Sequence, residues 1–385
     1  MPKNIIIIAD DIQSLGGVQQ FANILSKGFA QRGNRVSLIA ICNNGDPVAY
    51  ERHADVTTDE IFERPYSHYA KRAELATQTG ASEDEIWQQH RKMANEGNAK
   101  LKTYVGSWDA HSILIVLQLS SMIALRNAGI HRRKHDRPKL IAQYHNSYDY
   151  AVSVGYISEI IQEYSLADKA LFLTAGDALC FASAGIQGAS YVHNPVDVKI
   201  RNSIKATRNK TVVSMSRLHK DKSIDELLSA WAMVAETFPD WSLNVYGEGP
   251  ERENLVTLAD RLGISNSVLF KGTTNNVLDV FETASINVLT SHREGWGLVI
   301  AEAASCGIPT VAYDGGYGVR ELIADERTGL LVRTNRPEHF AQALSKLMSS
   351  SDYRNQLGRK AESEIRKYSL DNVINKWETI IYRLN

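Results

Sequence analysis

The sequence predicts an α/β protein of two successive domains, each built on a parallel sheet whose strands are joined by crossover helices. Three observations predict it. Short apolar runs alternate with helix-length amphipathic segments along the chain. That rhythm runs once before residue 194 and again after it. The length of 385 residues suits two domains of ordinary size.

Taken in order, Ile5 to Ile8 and Ala9 read as a first strand, 18–32 as a helix and 36–42 as a second strand. Runs 111–117, 140–144, 170–174 and 189–192 continue the strands of this half. The second half alternates strands at 211–215, 243–246, 268–270, 286–289 and 310–313 with helices at 224–238, 251–262, 276–283 and 298–305. Parallel neighbours require such crossovers, and two halves of this kind are the pattern of two Rossmann-like domains. The boundary falls at Asn194-Pro195-Val196-Asp197, before the polar stretch 199–210, which gives domains of 1–197 and 198–369. Residues 51–102 break the rhythm: they are polar, charged and poor in β-formers. They read as helices inserted into the first domain over about 51–105, longer than an ordinary connection. A lid, an acceptor platform and a surface elaboration without chemistry all fit this insertion.

Composition narrows the classes. The hydrophobic fraction of 43% supports sizeable cores, and the net charge of −1 gives no overall field toward nucleic acid or membrane. Cys42, Cys180 and Cys306 are widely separated, beside apolar segments and without metal-ligand spacing, which points to reduced, buried thiols in a cytoplasmic protein. The first apolar run is too short for a signal peptide. No apolar stretch approaches the ~20 residues of a membrane span.

The most informative segment is Ser291-His-Arg-Glu-Gly-Trp-Gly-Leu-Val-Ile-Ala-Glu302. A buried strand precedes it, and a helix runs on to Gly307-Ile308-Pro309. Glu294 therefore lies in a strand-to-helix loop and Glu302 further along the helix. A helix start offers unpaired N–H groups and a partial positive charge, and Gly295 and Gly297 allow a ligand close to that backbone. Such a site favours an anion, commonly phosphate. Glu302 can accept hydrogen bonds from a diol such as ribose, and Glu294 from sugar hydroxyls. Two carboxylates beside an anion site fit a sugar joined to a nucleoside through a diphosphate.

Glu294-Gly-Trp296-Gly-Leu298-Val-Ile-Ala-Glu302 resembles the Glu-x7-Glu motif of the retaining glycosyltransferases of family 4, whose two Rossmann-like domains face each other across a cleft in the GT-B fold. The loop Asp314-Gly315-Gly316-Tyr317-Gly318, then Glu321 and Thr328-Gly329-Leu330, resemble the glycine loop and hairpin that come after the motif in that family. Ser214-Met-Ser-Arg217-Leu-His-Lys-Asp-Lys222-Ser resembles its Gly-Arg-Leu-x-x-x-Lys-Gly segment, with Ser216 and Ser223 in place of glycines. An Arg fork and a Lys point charge suit a diphosphate leaving group that gains charge in the transition state. Gly16-Gly17, after the first strand, resembles the first-domain glycine loop of the family. It lacks the spacing of a dinucleotide fingerprint. His145, at the end of a strand, implies a contact with the donor sugar or the transferring centre. Gly247, in Tyr246-Gly-Glu-Gly249, helps shape the nucleotide pocket in the family, and an ordinary turn is the alternative.

The resemblance implies transfer of a hexose or N-acetylhexosamine from a nucleoside-diphosphate sugar, expected to be UDP-linked, to an acceptor hydroxyl with retention. It implies no cofactor and no metal: Arg217 and Lys222 meet the diphosphate, and no Asp-x-Asp motif is evident. The helix at 370–385 would cross back onto the first domain. The motif loops resemble most the bacterial branch that glycosylates cell-wall polymers or surface proteins, although Val319 stands where a proline often comes after Tyr-Gly. The expected acceptor is a glycan, a polyol-phosphate polymer, a lipid-linked sugar or a protein, not nucleic acid. Arg126, Arg132, Arg133, Lys134, Arg137 and Lys139, with His131 and His135, form a basic cluster. It fits either a solvated face or a polyanion, including peripheral contact at the inner face of the cell membrane. A non-hydrolysing sugar-nucleotide epimerase and a catalytically silent GT-B partner subunit are the rival readings.

Overall fold

The computed structural model describes residues 2–43, 45–63, 80–130, 136–196, 208–333 and 335–384. Within these, the chain divides into two compact units. The first comprises Met1–His145, Gly155–Pro195 and Leu370–Asn385; the second comprises Asn146–Val154 and Val196–Ser369. Each is a Rossmann-like α/β unit with a wholly parallel sheet. The short helix Tyr148–Ser153 therefore belongs with the second unit, although its sequence lies among the elements of the first.

The first sheet has the order β3-β2-β1-β4-β5-β6-β7. Its strands are β1 (Asn4–Ala9), β2 (Arg35–Cys42), β3 (Val56–Phe62), β4 (Ile113–Val116), β5 (Lys139–Gln143), β6 (Lys169–Phe172) and β7 (Ser190–Tyr191). The four isoleucines of β1 are stiff at χ1 and apolar on both pleat faces, which suits a central parallel strand. Ile7 sits between Leu38 and Ile115, and it is fully buried. The helix Gly17–Gln31 covers one face with Phe21, Ala22, Leu25 and Phe29. The last helix, Leu370–Leu384, joins the same core through Val373, Ile374, Trp377 and Ile381, which its 3.6-residue period places on one face.

The polar stretch expected to be helical throughout contains β3. This strand pairs in parallel with β2 at the sheet edge, and its middle residues Thr57 and Thr58 are exposed. An edge strand has one unpaired side and tolerates polar residues, so β-propensity alone did not reveal it. The rest of the described insertion is the helix Glu83–Ser107. Ser82 and Glu85 start it with reciprocal side-chain and backbone hydrogen bonds.

The second sheet has the order β10-β9-β8-β11-β12-β13. Its strands are β8 (Thr211–Met215), β9 (Ser242–Tyr246), β10 (Val268–Gly272), β11 (Ile286–Leu289), β12 (Thr310–Tyr313) and β13 (Gly329–Val332). Its strand order reverses between the neighbours β8 and β11. In open α/β sheets, the crevice beyond the carboxyl ends of two such strands is where ligands bind.

Candidate active site

The two loops that leave β8 and β11 carry most of the charged motif residues. The β8 loop passes Arg217, makes a 3-10 turn over Lys220–Lys222, and enters the helix Ile224–Ala235. The β11 loop runs from Thr290 to Gly297, where a φ of 84° lets glycine open the helix Leu298–Ser305. Sequence separation is large, but the sheet order makes the loops neighbours. Thr290 Oγ1 donates to the Lys222 carbonyl at 2.9 Å. Lys222 Nζ donates to Glu294 Oε2 at 3.0 Å, with the two side chains 15% and 20% exposed.

Burial works against the charge on Lys222, yet Glu294 and then Asp221 outweigh it and hold the ammonium above its ordinary range. Asp221 lies 3.6 Å from Lys222 and hydrogen-bonds His219 at 2.6 Å. Burial pushes the Asp221 carboxyl up, but Lys222, His219 and Arg217 together bring it below its usual value. Arg217 is exposed, and its charge reaches both Asp221 and Lys222. The result is a cationic centre already balanced by two carboxylates.

Backbone packing fixes this centre. Ser216 N–H donates to the Tyr246 carbonyl at 3.1 Å, and Leu218 N–H to the Glu248 carbonyl at 2.9 Å. The approach leaves no room for a side chain at Gly247, whose φ is 131° and whose Cβ would lie 1.8 Å from the Ser216 oxygen. Gly247 thus shapes the Arg217 loop by contact. The β11 loop rests in the same way on the β12 loop. Glu294 N–H donates to the Gly315 carbonyl at 2.8 Å, and a Cβ at Gly318 would lie 2.3 Å from the Gly295 oxygen.

The other predicted residues divide. Glu302 is half-buried on the helix Leu298–Ser305, which begins with Leu298. Trp296 is buried, 2% exposed, and meets the Tyr368 ring edge-on at 4.9 Å. Its indole is a packing group, so a ligand at this turn would meet the backbone of Gly295, Trp296 and Gly297. Gly16, Gly17 and His145 belong to the first unit, and Arg217, Lys222, Glu294 and Glu302 to the second. Gly16 precedes the helix Gly17–Gln31, and its carbonyl accepts from the Tyr50 hydroxyl at 3.1 Å. His145 packs on Phe21 at 4.4 Å, and burial lowers its pKa to about 3, so its imidazole is neutral.

Two cations of the basic cluster are paired. Arg126 pairs with the buried Glu163 at 3.0 Å, and Arg137 grips Asp168 with both terminal nitrogens at 2.6 and 3.1 Å. Residues 131–135 lie outside the described part of the chain. Among the described residues, no helix is long and apolar enough to cross a membrane, and no group of three His, Cys, Asp or Glu is placed to hold a metal ion. The three cysteines are half-buried rather than buried.

Residues 196–364 match the family model of the glycosyl transferases group 1. This part of the chain is thus similar to the group 1 glycosyl transferases. An uncharacterized glycosyltransferase of Haemophilus influenzae is 34% identical over 190 residues, 49% of this chain and 54% of that protein. The chain thus spans about half of that relative's length. The GtfA subunit of a UDP-N-acetylglucosamine–peptide N-acetylglucosaminyltransferase from Limosilactobacillus reuteri is 24% identical over 92% of this chain and 68% of that protein. Among solved structures, a variant of S. aureus TarM in complex with fondaparinux, alpha-GlcNAc-glycerol and UDP superposes with a TM-score of 0.77. It is 16% identical and covers 98% of this chain and 99% of that one. The two Rossmann-like units are thereby those of the GT-B glycosyltransferase fold.

Thr290, Asp221, Glu226 and His292 complete the centre; Asp221 and His292 stand within the quoted segments without a role assigned from them, and Thr290 and Glu226 stand outside. Thr290 and Lys222 are 68 positions apart, and His292 and Glu226 are 66 apart. No local spacing links them; only the adjacency of β8 and β11 does.

Proposed function

We propose that this chain is a retaining glycosyltransferase. It moves a hexose or N-acetylhexosamine from a UDP-sugar to a hydroxyl of a glycan or polyol-phosphate polymer. One observation carries the reading: Lys222 and Glu294, drawn from two distant motifs, meet at 3.0 Å where the strand order of the second sheet reverses. The presence of UDP and a GlcNAc-glycerol in the TarM complex supports the donor and acceptor classes.

In this reading the bond between the anomeric carbon and the diphosphate oxygen breaks. A bond to the acceptor oxygen forms on the same face, and the acceptor proton passes to the departing phosphate oxygen. Lys222 and Arg217 stabilise the charge that grows on the diphosphate, where preorganised charge is most effective. Glu302 accepts from the ribose hydroxyls, Glu294 from the sugar hydroxyls, and the helix start at Leu298 faces the phosphates. The two cations can meet the diphosphate without a divalent ion, so activity should survive EDTA.

The test is incubation of the full chain with UDP-GlcNAc, UDP-GalNAc, UDP-glucose or UDP-galactose and with glycerol-phosphate, ribitol-phosphate or oligosaccharide acceptors. Products are read by mass spectrometry and anomeric configuration by NMR. An α-linked product supports the reading. Donor interconversion without acceptor would instead mark an epimerase, and UDP binding without any transfer a silent subunit.

A further inference from the structure

Thr290, His292 and Glu294 are alternate residues of the loop after β11, and all three reach the segment 222–226. The loop thus makes three rungs to one partner segment. The outer rungs engage Lys222 itself. The middle rung is His292 Nε2 to Glu226 Oε1 at 2.7 Å, one helical turn beyond Lys222. The His292 ring also stacks on Tyr313 at 5.1 Å and 21°, and Tyr313 is 1% exposed. A ring fixed at its face and at one nitrogen has little freedom left. Glu294, two residues on, is tied at its own N–H to Gly315. Its carboxylate therefore stands between two fixed points.

Lys222 needs this support. It ends a 3-10 turn, and Ser223 after it has a φ of 48°, a conformation that costs a non-glycine residue free energy. Its four-carbon stem is flexible. The Glu226 rung joins the first turn of the next helix to His292, two residues before the carboxylate that Lys222 meets. We propose that His292, held by Glu226, is a positioning residue that sets Glu294 against Lys222 and so prepares the donor centre. This rests on the transferase reading above and adds to it a pair to which the sequence assigned no role.

The experiment measures kcat and donor KM for wild type, His292→Phe, His292→Gln and Glu226→Gln, and for His292→Phe in a Glu294→Gln background. Phe keeps the ring and its stacking but has no nitrogen; Gln retains an N–H donor. His292→Phe should lower kcat about tenfold with donor KM changed less than threefold, the signature of an interaction expressed in the transition state. His292→Gln should recover most of the loss. In the Glu294→Gln background, His292→Phe should cost less than twofold, because coupled residues are non-additive. Glu226→Gln keeps shape and should resemble His292→Phe in direction. Unchanged kcat in His292→Phe, equal loss in Phe and Gln, or the full tenfold loss in the Glu294→Gln background would each overturn the proposal. Absence of transfer by the wild type would overturn the transferase reading itself, a result distinct from any of these.

Discussion

Glu294→Gln should tighten the binding of free UDP while it suppresses transfer. In the structure Lys222 is engaged by Glu294 at 3.0 Å, so a diphosphate must compete with a carboxylate for that ammonium. Coulomb's law at an effective dielectric of about 20 gives several kcal/mol for unit charges this close, before desolvation and side-chain entropy oppose it. Measured pairs bracket the net: roughly 0.2–1 kcal/mol when exposed and about 3–5 kcal/mol for breaking a buried one. Side chains 15% and 20% exposed fall between, so roughly 1–2 kcal/mol is released to an incoming anion. That corresponds to about five- to thirty-fold tighter UDP. The same substitution removes a charged acceptor for sugar hydroxyls, and kcat should fall by about ten- to a thousand-fold. Calorimetry with UDP at low and physiological salt, beside a turnover assay, reads both. The gain in affinity should shrink as salt screens the charges. Weaker UDP binding in Glu294→Gln would refute the competition argument, and wild-type turnover would refute the role of Glu294.

Four further outcomes are expected. Glu302→Ala should weaken UDP and the UDP-sugar alike by one to two decades, since a hydrogen bond to a charged group is worth about 1.5–3 kcal/mol; calorimetry with both ligands checks it. Gly247→Ala should lower the melting temperature and the donor affinity together, because its Cβ would lie 1.8 Å from the Ser216 oxygen. Ser223→Gly should raise stability by up to about 1 kcal/mol in urea unfolding, as glycine adopts the φ of 48° without strain. Burial, then Asp10, Asp11 and Glu60, pushes the Cys42 thiol up to about 12, so the thiolate is scarce below that pH. Mass-mapped alkylation of the native protein at pH 8 should therefore spare Cys42, and its rate should climb only as pH approaches that value.

The alternating rhythm was legible because parallel strands buried on both faces are continuous apolar runs, as Ile5 to Ile8 are. Polar β3 was not, because an edge strand half in water has no such run. Arg217, Lys222, Glu294 and Glu302 could be named from local spacing, since each lies in a strand-loop-helix junction with its own pattern. That Lys222 touches Glu294 could not, because the contact arises from strand order. The same holds for His292 and Glu226, which carry no pattern of their own. That the Trp296 side chain is buried could not be read locally, because Tyr368, which its ring meets edge-on, lies 72 residues on. That Arg126 and Arg137 are paired could not be read either, because Glu163 and Asp168 lie far along the chain from them.

The glycine approaches at 247 and 318 have a practical consequence for redesign of the proposed donor site. The β8 loop hydrogen-bonds the β9 loop and the β11 loop the β12 loop through backbone groups, and glycines 247 and 318 approach the backbone of the facing loop too closely for a side chain of their own. A loop grafted singly from a relative of different donor preference would inherit a partner shaped for another backbone. The transplantable unit is the whole quartet of loops after β8, β9, β11 and β12, exchanged together, while point changes are best confined to side chains that project away from these seams, Arg293 among the exposed ones.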